Sequence, residues 1–121
     1  MPNIQITKPS QNSTMPPQNT NPPTVGPIEG KLDLDSKRKV PAISVVGGIF
    51  ELSFQPTEQI PQMTKPGIVK NNGRNFEFRT LPIGDEILPD CQVVVWVKWR
   101  AGTEPNAPEK VDFASVRVRI E

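Results

Sequence analysis

Cys91-Gln92-Val93-Val94-Val95-Trp96-Val97-Lys98-Trp99-Arg100 is the most apolar stretch of the chain, and its pattern decides the fold. Val93, Val95, Val97 and Trp99 recur at the two-residue period of a strand, which places them on one face. On the other face Val94 and Trp96 are also apolar, before Lys98 and Arg100 turn it polar. A strand with two apolar faces lies in the middle of a domain or beneath an additional element. A small two-layer domain covers one face only. The second face, marked by Val94 and Trp96, is therefore expected to meet either the chain's own N-terminal segment or a partner subunit.

Strand signals extend in both directions from this segment. Downstream, Ala114, Val116, Val118 and Ile120 alternate with Ser115, Arg117, Arg119 and Glu121, predicting a strand over 111–121 with one solvated face. A loop over 101–110 carries Gly102, Pro105 and Pro108. Upstream, Leu81-Pro82-Ile83-Gly84-Asp85 and Leu88-Pro89-Asp90 form a corner, because proline cannot donate to a central ladder. Asn71-Asn72-Gly73-Arg74 separates 67–70 from 75–80, and Asn-Gly supplies the positive φ of a hairpin turn. Phe76 and Phe78 are the inward residues of its second arm. Phe50, Leu52 and Phe54 share a side within 49–55, the run over 42–46 ends at Gly47-Gly48, and Leu32 and Leu34 alternate within 31–35. These segments predict an all-β sandwich of six to seven strands over 31–121, with no helix longer than a turn.

Composition changes near Gly30. Residues 1–30 hold seven prolines and only two charged side chains, Lys8 and Glu29, among many Asn, Gln, Ser and Thr. Such a segment buries too little apolar surface to offset its ordering entropy, which predicts an extended arm. At about 3.1 Å per residue in the polyproline II conformation it spans on the order of 90 Å. Within it Asn3-Ile4-Gln5-Ile6-Thr7 alternates at the strand period, so Ile4 and Ile6 are candidates to add a strand to a partner's sheet. Pro16, Pro17, Pro22 and Pro23 are candidate partner contacts along the arm. The domains expected are an arm over 1–30 and a sandwich over 31–121.

The 121 residues suit one domain, and 14 basic against 13 acidic side chains leave no net field to favour nucleic acid or an acidic membrane. The protein contains no histidine and no tyrosine, which removes the commonest general base, the commonest metal ligand and any Ser-His-Asp or Cys-His arrangement. Cys91 is the single cysteine, so an intrachain disulfide is impossible, and beside a central strand it reads as a small buried hydrophobe. Asp33 with Asp35, and Asp85 with Glu86 and Asp90, are the carboxylate groupings; neither has the ligand spacing of a calcium loop. Lys37-Arg38-Lys39 lacks interleaved aromatics and reads as a turn rather than a nucleic-acid patch. No catalytic residue, cofactor or metal site is expected. The N-terminal residues lack the basic, apolar and small-residue regions of a secretory signal, and no apolar run reaches the roughly 18 residues of a membrane span.

The tryptophan-bearing apolar strand, the preceding corner Leu81-Pro82-Ile83-Gly84-Asp85 and the alternating C-terminal strand resemble immunoglobulin-like and fibronectin-type-III-like sandwiches over 31–121. The usual core cysteine pair and the corner tyrosine are missing. With its arm, the chain resembles the small decoration or cement proteins of tailed-phage capsids, in which a β domain carries an extension across neighbouring subunits. That resemblance implies a non-catalytic virion protein, assembled in the host cytoplasm, whose partners are capsid or other assembly subunits. The alternative is a carbohydrate-binding or adhesive module, in which the arm is a linker, the loops near 101–110 or 71–74 make the contact, and glycan binding would be lost on mutating Trp96 or Trp99.

Overall fold

The computed structural model describes residues 4–17, 23–33, 43–70, 73–83, 90–100 and 109–120. Every regular element among them is a strand: β1 Ile4–Lys8, β2 Ser13–Met15, β3 Thr24–Val25, β4 Ile28–Leu32, β5 Ser44–Glu51, β6 Lys65–Pro66, β7 Ile68–Lys70, β8 Asn75–Phe78, β9 Leu81–Pro82, β10 Asp90–Arg100 and β11 Glu109–Ile120. They form a four-stranded sheet ordered β1-β4-β8-β7, a five-stranded sheet ordered β2-β11-β10-β5-β6, and a ribbon of β3 with β9. The protein is thus all-β, consistent with a β-sandwich. The count exceeds six or seven because several elements are only two or three residues long.

β10 is the central element: it pairs over its whole length with β11, and from Cys91 to Lys98 with β5. Val93, Val95, Val97 and Trp99 are buried in one core with Ile4, Ile28, Phe76 and Phe78 of the opposing sheet. From β11, Val118 is buried in that core and Ala114, Val116 and Ile120 pack against it, while Ser115, Arg117 and Arg119 are exposed. β7 pairs antiparallel with β8, and Gly73, just before β8, has the positive φ of 87° that glycine adopts freely. Asn71 and Asn72 lie outside the described residues.

Two expectations about boundaries are overturned. Gly47-Gly48 does not end a strand; both glycines lie inside β5. A Cβ on Gly47 would press on the Phe78 ring at 3.1 Å, and one on Gly48 on the Phe50 ring at 3.0 Å, so packing rather than a turn demands small residues there. Nor do residues 1–30 stand apart as an arm. β1 pairs antiparallel with β4, β2 pairs parallel with β11, and the expected boundary at residue 30 falls inside β4. The physical reason is Ile4 and Ile6, buried to 1% and 8% exposure in the main core, with Met15. Three apolar side chains in one segment suffice to dock it, although its average composition is that of a disordered tail.

The β3–β9 ribbon continues the β4–β8 ladder. Val25 opposes Leu81 and Ile28 opposes Phe78, so the register is unchanged across the cis Gly26–Pro27 peptide. A Cβ on Gly26 would collide with the Arg79 carbonyl, which is why the interruption carries glycine.

Candidate functional site

The outer face of the five-stranded sheet carries Val94 and Trp96, and neither is open to a partner: both are 0% exposed. Their cover is neither the N-terminal segment nor a second subunit. It is the strap over residues 52–64, which leaves β5 and crosses the sheet before entering β6. Phe54 of the strap stacks on Phe50 of β5 at 4.5 Å between ring centroids, and both present edges to Trp96, at 6.3 and 5.6 Å. Such edge-to-face pairs add about 0.5–1.5 kcal/mol each beyond area burial.

Two polar side chains of β10 latch the strap. The Trp96 indole N–H donates to the Thr57 carbonyl at 2.7 Å. The Gln92 amide nitrogen donates to the carbonyls of Glu51 at 2.9 Å and Phe54 at 2.6 Å. Gln92 is the one buried polar side chain of the described residues, and its placement explains why a glutamine interrupts an apolar strand.

Beside the strap the sheet edge is open. β6 pairs with β5 only at Val46 and Gly47, and Gly67 N–H extends this to the Val45 carbonyl at 2.9 Å. Gly48, Ile49 and Phe50 have no strand partner on that edge among the described residues. Along it runs an open, largely apolar groove of about 550 Å³, lined by Ile49, Phe50, Met63, Lys65, Pro82 and Ile83 among others. Met63 is 90% exposed.

The residues singled out from sequence are scattered. Ile4 and Ile6 are core residues of β1, and Val94 and Trp96 lie beneath the strap, so none of these four offers surface to a partner. Pro16, Pro17 and Pro23 are exposed, and the Pro23 carbonyl accepts the Ile83 N–H at 2.9 Å. Pro22 lies outside the described residues, as do Asp35, Lys37-Arg38-Lys39, Asp85 and Glu86; Asp33 and Asp90 are exposed. Trp99 is 2% exposed, so neither tryptophan is available as a sugar platform. Cys91 is fully buried, and burial, followed by the charge of neighbouring Asp90, pushes its thiol from 9.0 up to about 11. A thiol so placed is a poor nucleophile.

The groove was not foreseen. Its residues are ordinary apolar and proline positions, and only the abrupt shortness of β6 exposes the edge they flank. Compared with known protein families, with curated proteins and with solved structures, the chain gives no match.

Proposed function

We propose that this chain is a non-catalytic immunoglobulin-like sandwich that binds protein subunits of a larger assembly, in the manner of a virion decoration or cement subunit. The immunoglobulin-like reading is supported, over the fibronectin-type-III-like one, by the four-stranded sheet β1-β4-β8-β7 and by an N-terminal segment that passes from its edge to a parallel pairing with the last strand.

The observation that carries the binding role is the distribution of exposed apolar surface. Among the described residues the large exposed hydrophobics are Leu52, Met63 and Ile68, and all fall between the end of β5 and β7. Met63, the most exposed of the three, lies on the rim of the largely apolar groove, and apolar surface gathered in this way marks an interaction site. Binding therefore runs through residues 52–68 and the groove, and the N-terminal segment contributes by completing the fold rather than by reaching outward.

Sedimentation tests this reading. Extract from the source organism, fractionated on a gradient and probed for the chain, is expected to show it in a particle far larger than its own 13.4 kDa. Recovery solely as a free small protein overturns it.

A further inference from the structure

On the open stretch of the β5 edge the Ile49 N–H and C=O face outward, two residues along the alternation from Gly47 and four from Val45, whose carbonyl accepts the Gly67 N–H on that side. A strand edge offers backbone donors and acceptors at the spacing of another extended chain. Upstream of Lys65 the protein's own chain leaves this edge: the Met63 carbonyl lies over the outer face, 3.6 Å from where a Cβ on Gly48 would sit. The position beside Gly48–Phe50 that a longer β6 would fill is therefore left as the groove.

Charge narrows the occupant further. Among the described residues, Lys65 is the only charged one lining the groove. Its ammonium donates to Thr80 Oγ1 at 3.3 Å, and neither the Lys70–Glu77 nor the Lys98–Glu109 ion pair includes it. Resting on the reading of this chain as a protein-binding module, we infer that the groove takes an extended segment of another protein. That segment adds as a strand to Gly48–Phe50, with an apolar side chain against Phe50, Met63 and Ile83 and an acidic side chain at Lys65. Main-chain pairing supplies affinity in this mode, and side-chain pockets supply specificity.

The test is selection from a displayed library of random peptides about ten residues long, a length that fills one strand site. Enriched peptides are expected to alternate apolar residues and to carry Asp or Glu. A synthetic copy of one should shift the amide resonances of Gly48–Phe50 and weaken at least about tenfold against Met63→Asp and against Lys65→Glu, both surface changes that leave the fold intact. No enrichment, enrichment without acidic residues, or shifts centred on β1 or β7 overturns the inference. The same two variants separate it from the broader reading. If both remain in the large particle as wild type does, the assembly role stands and this site does not. If the peptides bind as described while wild type never enters a particle, the site stands and the assembly role falls.

Discussion

At the scale of single residues, Cys91 links burial to pH. It sits at 0% exposure in the main core, where burial first and Asp90 second raise its thiol to about 11. In the unfolded chain the same thiol ionises near 9.0. Below that pH both states hold the proton and stability is unaffected. Above it the unfolded chain releases a proton that the native state retains, so stability falls as pH rises, until the native thiol also ionises near pH 11. At about 1.4 kcal/mol per unit the loss is on the order of 2 kcal/mol. The protein has no tyrosine to titrate in this range, and its lysines are common to wild type and variant. Urea unfolding at pH 8 and again near pH 10.5 should therefore show wild type losing on the order of 2 kcal/mol more than Cys91→Ala. Equal losses in the two proteins would show that the thiol is not held neutral.

At the scale of elements, β1 decides whether the N-terminal segment is tail or domain. Ile4 opposes Leu32 across the β1–β4 ladder and is 1% exposed. Ile4→Ala should therefore cost about 2–5 kcal/mol in chemical denaturation, as for other buried isoleucines. As the tip of a solvated arm the same change would cost nothing measurable. The alternation that makes this strand was legible in Asn3-Ile4-Gln5-Ile6-Thr7. Its destination was not, because the partner β4 lies beyond a proline-rich connection and pairing between distant segments leaves no local signal. The same limit applies to β10. Val93, Val95, Val97 and Trp99 declared the inner face, and Val94 and Trp96 declared that the outer face is covered. The identity of the cover was hidden, since Trp96 is held by the backbone carbonyl of Thr57, which no side chain advertises. Gly47-Gly48 misled for a related reason: glycine signals a turn locally, whereas here it accommodates the rings of Phe78 and Phe50, the first brought from a distant strand.

At the scale of the whole molecule, the two flanks of the sandwich are closed by segments that change sheets. On one flank the chain passes from β1, at the edge of the four-stranded sheet, to β2, at the edge of the five-stranded one. On the other it passes from β6 to β7 through Gly67, where a Cβ would lie 2.7 Å from the Phe78 ring. Short, switching edge strands are a means of avoiding unwanted sheet-to-sheet association. This closure ranks the local stabilities. β10 is paired on both sides and contributes more core side chains than any other strand, so its amides should exchange with solvent only through global unfolding. The strap over 52–64 makes one backbone-to-backbone bond, Phe54 N–H to the Glu51 carbonyl, and short-range side-chain bonds, and it is tied to the sheet by the Gln92 and Trp96 side chains and the Phe54 ring. It should exchange fastest among the described segments, and faster still in Gln92→Ala, which removes its anchor at the Phe54 carbonyl, and the bond to Glu51 where the strap leaves β5, without touching the inner core. β1 should lie between, protected by one neighbouring strand and by Ile4 and Ile6. Hydrogen exchange read by mass spectrometry distinguishes this order from an arm outside the fold, for which residues 4–15 would exchange at the unprotected rate while the strands after residue 30 remained slow.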